Sequence, residues 1–196
     1  NAYFQMNQRR GVRWSATKAF LRPVQHRPNL TVVTRAHVKR VRVERRDGEK
    51  RATGVEIRLP QSEEFVAARR AVILAAGSIG SPQILQLSGV GPGALLHEHG
   101  VAVTHELPGV GENLHDHLQV RIVYKVSNVI TLNQRANSLI GKMAMGLEYF
   151  LFKTGPLTMP PSQLGAFARS DPSRPSANIE WHVQPLSLDK FGEPLH

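Results

Sequence analysis

The sequence predicts an α+β (mixed α/β) chain, and three observations carry that expectation. Two stretches of alternating apolar and polar residues, 37–44 and 52–59, flank Asp47-Gly48, the signature of a half-buried hairpin. An apolar run, Ala71-Val72-Ile73-Leu74-Ala75-Ala76, stops at Gly77 and gives way to a helical pattern. Residues 136–153 then place Leu139, Ile140, Met143, Leu147, Phe150 and Leu151 at helical spacing.

Each element follows in order. Ser15 reads as the N-cap of a short helix through Leu21, closed by Pro23 and Pro28. The β-branched run 29–34 reads as a strand, and 37–44, 52–59 and a strand near Phe65 form a meander. The run 71–76 reads as a buried strand, with Ser81-Pro82 opening the next helix. Residues 94–99 read as a short helix ended by Gly100 at C′. Residues 101–118 read as loop and 119–126 as a strand. The helix over 136–153 stops at Thr154-Gly155-Pro156. Short strands are expected near Ala166-Phe167 and over 179–183. A boundary near 118 divides the chain into 1–118 and 119–196.

Composition narrows the function classes. At 196 residues and 41% hydrophobic, the chain can build one good core or two small ones. It has no cysteine, so neither disulfides nor thiolate chemistry are available. No apolar run reaches the length of a membrane span, and the polar, basic start is no signal peptide. These features suit a cytoplasmic or membrane-peripheral protein. Residues 1–72 hold 17 Lys and Arg against 6 Asp and Glu, whereas 73–196 hold 8 against 9. Such a block is the footprint of a basic nucleic-acid-binding module. The arginines, however, alternate along expected strands without interleaved aromatics, which favours a solvated strand face.

The run Gly77–Gly91, GSIGSPQILQLSGVG, is the most specific feature. A strand stopping at a small-residue turn before a helix sets bare backbone beside free N–H groups, geometry suited to a bulky anion. The run resembles the second signature of the glucose-methanol-choline (GMC) flavin oxidoreductases, through Gly77, Ser78, Ser81, Pro82, Ile84, Leu85, Ser88, Gly89, Val90 and Gly91. The segments 3–5, 11–15, 20–23, 27–30, 107–117, 155–158 and 179–183 resemble other parts of that family.

The resemblance implies FAD as cofactor and oxidation of an alcohol carbon by hydride transfer to the flavin. It implies a partial Rossmann-type FAD-binding domain with an inserted β-meander over 1–118, and part of a substrate-binding domain over 119–196. It places Val38 at the adenine, Ala76, Gly77 and Ser78 against the dinucleotide, and Asn113, Asp116 and His117 near the flavin. Gln163 and His182 become candidate substrate-wall residues; neutral Gln163, where choline-directed relatives tend to carry a carboxylate, favours an uncharged alcohol.

Two departures qualify the resemblance. The family's N-terminal dinucleotide fingerprint is missing: Gly89-Val90-Gly91-Pro92-Gly93-Ala94 fits G-x-G-x-x-A but follows a helix rather than a strand. The catalytic histidine of the family falls beyond His196, so no residue here takes a catalytic role. The chain reads as a central fragment, inactive alone, with exposed apolar surface prone to self-association.

His115-Asp116-His117 offers no third ligand at metal-site spacing, so no metal is expected. A rival from another class is a serine acyl-enzyme of penicillin-binding or β-lactamase type. Ser15 and Lys18 would form S-x-x-K, and Lys153-Thr154-Gly155 K-T-G, with the middle S-D-N element lacking.

Overall fold

A computed structural model describes residues 2–160 and 162–187. The chain divides into two compact units, Thr31–Gln119 and Asn1–Leu30 with Val120–His196. Short strands β1 (Ala2–Tyr3), β2 (Gln8–Arg9) and β3 (Val12–Arg13) open the chain; β2 and β3 form a small hairpin. A single π-helical turn, Thr17–Leu21, follows. Its cap position is Ala16, while Ser15 Oγ lies 3.5 Å from the Lys18 N–H, too long to cap well.

The meander forms as the alternation dictates. β4 (His37–Arg46), β5 (Glu49–Arg58) and β6 (Glu63–Ala67) make an antiparallel sheet in that order. Asp47 and Gly48, at φ +52° and +81°, are the two left-handed residues a tight hairpin turn requires. Val41 and Ile57 face inward, each 6% exposed. Gly54 is where the sheet needs no side chain: a Cβ there would meet the Phe65 ring and the Val66 carbonyl. The Arg42 guanidinium in turn lies 4.2 Å over the Phe65 ring.

Helix α1 (Gly77–Leu87) packs on β4, and α2 (Gly93–Glu98) buries Leu96 to 2%. Between them β7 (Val90–Gly91) pairs in parallel with β8 (His105–Glu106). In the other unit, α3 (Leu132–Asn137) starts at a capping box built by Thr131 and Gln134. α4 (Leu139–Phe152) ends at left-handed Lys153. Strands β9 (Leu164–Ala168) and β10 (Ile179–Val183) pair antiparallel, with β1 on the other edge of β9.

Four expectations are corrected. The segments 29–34, 71–76 and 119–126 join no ladder among the described residues, and 71–76 is not buried. β-Branched and apolar composition favours extended backbone, but a strand also needs a hydrogen-bonded neighbour, and none of these finds one. Helix α1 starts at Gly77 rather than at Ser81-Pro82, leaving Pro82 inside it. Finally, the helix expected over 136–153 is interrupted at extended Ser138, where α3 ends and α4 begins; on α4 Leu139, Ile140, Met143, Leu147, Phe150 and Leu151 are all exposed, and Met145 is the helix residue that is buried.

Candidate functional site

The site is built around the start of α1. Residues 71–75 run without a ladder partner into Ala76, and Gly77 turns the chain at φ +83°. A left-handed residue is costly with a Cβ, which explains glycine there. A Cβ at Gly77 would meet nothing within 4 Å, so the turn presents an open face. The Ala76 N–H donates to Ser81 Oγ at 3.0 Å, but no side chain caps α1. Its first-turn N–H groups therefore face outward at the positive end of the helix dipole, where an anionic group is stabilised. That open, uncapped start fits the pyrophosphate of a dinucleotide.

The far end of the same helix is tied down. Ser88 is 8% exposed, and its Oγ accepts the Val41 N–H at 2.8 Å while donating to the Ile84 carbonyl. Gly89, at φ +79°, accepts from the N–H groups of Thr104 and His105 at 2.7 and 3.0 Å, and an added Cβ would strike the Ala102 carbonyl. Gln86 Nε2 donates to the Val110 carbonyl at 3.1 Å, fixing the loop that leads to Asn113. Glu106 accepts the Gly93 N–H at 3.0 Å and occupies the start of α2. The glycines of the G-x-G-x-x-A match thus serve packing, and its helix start is already filled by a carboxylate.

The residues expected at the cofactor fall in one unit. Val38 is half-buried on β4 opposite Ile57, beside a bulge that leaves Lys39 out of register. Such bulges re-aim a strand locally. Ala76, Gly77 and Ser78 are exposed at the turn. Asn113 is left-handed at φ +57°, and Asp116 Oδ1 accepts the His117 N–H at 2.8 Å, so these loop residues are shaped by local bonds and stay exposed. No His, Cys, Asp or Glu group suited to a metal occurs among the described residues.

Gln163 and His182 belong to the other unit. The Gln163 carbonyl accepts the Phe4 N–H at 2.9 Å and its N–H donates to the Val183 carbonyl at 3.4 Å, so its backbone leads into the central strand β9. His182 Nε2 lies 3.0 Å from Glu180 Oε1, and its ring centroid is 4.9 Å from that of Phe4. A Cβ at Gly165, the register partner of His182, would collide with that Phe4 ring.

Two rival readings are corrected. Lys153 is the left-handed cap of α4, not a strand residue as K-T-G demands, and Lys18 Nζ donates to the Arg13 carbonyl at 3.3 Å. Much of the basic meander is internally paired: Arg40 and Arg42 both bind Glu56, at 2.7 and 2.9 Å, and Lys39 binds Glu63 at 2.7 Å. The hydrogen bonds from Arg40 and Arg42 hold the Glu56 carboxyl at about 2, and Glu56 raises Arg40 in return. A nucleic-acid phosphate would have to displace these carboxylates.

Comparison with known proteins decides the family. The sequence model of the GMC oxidoreductases matches residues 1–119. The chain belongs to the GMC oxidoreductase family. An oxygen-dependent choline dehydrogenase of Brucella ovis is 41% identical over 93% of this chain and 32% of its own. An alcohol dehydrogenase [acceptor] of Pseudomonas putida is 36% identical over 98% of this chain and 35% of its own. Among solved structures, an FAD-dependent oxidoreductase from Chaetomium thermophilum superposes with a TM-score of 0.64 at 29% identity, over 76% of this chain and 26% of that one. A formate oxidase gives 0.66 at 27% identity, over 83% and 27%. This GMC chain spans about a third of the length of the curated relatives it matches.

Sequence reading missed Gln86, Ser88 and Glu106 as the residues that position the site. Their partners lie 24, 47 and 13 residues away. The nearest signal was the small-residue run 88–93, which marks close backbone approach without naming what approaches.

Proposed function

We propose that this chain is the central part of an FAD-dependent GMC enzyme that oxidises an alcohol. Residues 1–118 would belong to a partial Rossmann-type FAD-binding domain with an inserted β-meander, and the described residues from 119 onward to part of its substrate domain. The observation that carries this reading is the open, uncapped start of α1 at Gly77, held to β4 through Ser88. Family membership and the FAD-dependent structural neighbour support the cofactor.

In this reading the N–H groups of Gly77 and Ser78 hold the pyrophosphate, and the backbone at Val38 meets the adenine. Asn113, Asp116 and His117 stand towards the flavin, and Gln163 and His182 line the substrate side. Bound FAD would supply the two-electron acceptor for the hydride of the carbinol carbon, with the hydroxyl proton passing to a base and the alcohol becoming a carbonyl compound. None of the residues assigned here acts as that base. The chain alone is expected to bind FAD weakly and not to turn over.

Titrating FAD into isotope-labelled chain tests the reading. Amide shifts at Val38, Gly77, Ser78 and Asn113, with the flavin lost on dialysis, are expected. A saturating titration that leaves those four amides unmoved contradicts it.

A further inference from the structure

A cavity of about 470 Å³ opens between the turn end of the β4–β5 hairpin and the segment that forms β8. Val43, Arg45 and Lys50 line its hairpin side, and Val103, Thr104 and Glu106 line the other. All of them lie within Thr31–Gln119.

The strand register sets the charge of this wall. Val43 stands opposite Ala52, Glu44 opposite Arg51, Arg45 opposite Lys50 and Arg46 opposite Glu49. Side chains alternate between faces along a strand, so Glu44, Arg46, Glu49 and Arg51 share one face, and Arg45 and Lys50 share the other with Val43. The first face is balanced: Arg46 lies 3.6 Å from Glu44, and Arg51 lies 3.1 Å from Glu49. The second sets two cations directly opposite each other, an arrangement that weakens a strand pair. Neither cation has a carboxylate partner among the described residues. Lys50 Nζ lies instead 3.4 Å from His105 Nδ1, which sets the ammonium between the hairpin and the β8 wall. The two carboxylates of the lining are engaged elsewhere. Glu44 belongs to the balanced face with Arg46, and Glu106 accepts the Gly93 N–H at 3.0 Å.

We propose that this cavity binds the phosphate group of a small phosphate monoester, held between Arg45 and Lys50. Such a group carries roughly two negative charges at neutral pH and three acceptor oxygens, which matches two uncompensated cations better than a monoanion does. Arginine meets phosphate in bidentate fashion and lysine meets it as a point charge. The bound dianion removes the repulsion across the strand pair, and the cavity leaves room for the organic part of a small ester. The site goes beyond the proposed oxidation and requires neither flavin nor an alcohol.

The test is a titration of isotope-labelled chain with glycerol 3-phosphate and with acetate at fixed ionic strength, read at the amides of Arg45, Lys50, Val103 and His105. Saturable shifts are expected from glycerol 3-phosphate, with acetate at least about tenfold weaker. Lys50→Gln should weaken the ester about tenfold, whereas Arg46→Gln, on the balanced face, should leave it unchanged. Arg45→Glu guards against misfolding: it creates an opposite-charge pair, so the chain should melt at a higher temperature without phosphate and lose the shifts. Cosedimentation with vesicles of phosphatidic acid in phosphatidylcholine, lost in Arg45→Glu, would assign the same phosphate chemistry to a lipid headgroup, and its absence assigns it to a soluble ester. Acetate binding as tight as the ester, equal weakening by Lys50→Gln and Arg46→Gln, ester binding retained in Arg45→Glu, or no binding of either phosphate source each overturns the proposal.

Discussion

The two units solve the same problem of holding short elements together, but by different means. Of the five buried apolar residues among those described, the four in Thr31–Gln119 (Val41, Ile57, Leu96 and Val110) lie on separate elements or loops that hydrogen bonds tie together. Ser88 ties α1 to β4, Gln86 ties α1 to the 107–111 loop, and Glu106 ties β8 to α2. In the unit that carries α4, Met145 is the one buried apolar side chain among the described residues, while Phe150 and Ile140 are 75% and 79% exposed. The first unit is therefore a set of short elements fixed by specific polar ties and close glycine contacts. The second keeps most of its apolar helix surface open. The turn at Ala76–Ser78, proposed to hold the cofactor, lies in the unit whose short elements are tied by these hydrogen bonds.

The comparison is broken most severely by removing a close contact in the first unit. Gly89→Ala should destabilise Thr31–Gln119 by about 3 kcal/mol or more, because it forces a Cβ into the Ala102 carbonyl at φ +79°. Thermal unfolding followed by circular dichroism reads this. No loss of melting temperature would show that 89–104 is not packed as described.

Ser88→Ala should cost less, about 1–3 kcal/mol, by stranding the Val41 N–H in a buried position. Amide exchange at Val41 should accelerate more than at Val55, which keeps its ladder partners. Equal acceleration at both sites would mean global loosening instead of a lost tie.

In the second unit the expected effect is on association rather than stability. The exposed stripe of α4 should drive concentration-dependent self-association, and Leu147→Glu with Phe150→Glu should shift sedimentation towards monomer. Monomer at all concentrations in the unsubstituted chain would remove this expectation.

The smallest effect concerns pH. The folded carboxyl of Glu56 sits at about 2 against an ordinary 4.5. A depressed folded value stabilises the meander above about 4.5, and that contribution fades as pH falls from 4.5 towards 2. Glu56→Gln should flatten the acid limb of the unfolding curve in this window and leave the curve above it parallel. An unaltered acid limb would mean the pair with Arg40 and Arg42 is screened away.

What the sequence made legible was local. Asp47-Gly48 and Gly100 encode their own backbone shapes, so the hairpin and the end of α2 follow from neighbouring residues. The periodicity over 136–153 marked a helix, though not what would cover it. The runs 29–34, 71–76 and 119–126 looked like strands because composition reports extended backbone, whereas pairing depends on a partner elsewhere. Ser81-Pro82 drew the start of α1 too late, since proline favours a first turn but the glycine at 77 had already bent the chain. At the site, Gly77–Gly91 identified the corner through its residue order. The ties from Ser88, Gln86 and Glu106 span long separations and leave no periodic trace.

Photolabelling tests the central claim most directly, with an adenine-azido analogue of FAD and the label mapped by mass spectrometry. The proposed cofactor site predicts labelled peptides around Val38, protected by excess FAD and weakened in a Gly77→Val variant that keeps its folded spectrum. Label spread over surface lysines and arginines without protection, or concentrated away from Val38 and the 76–78 turn, would contradict it.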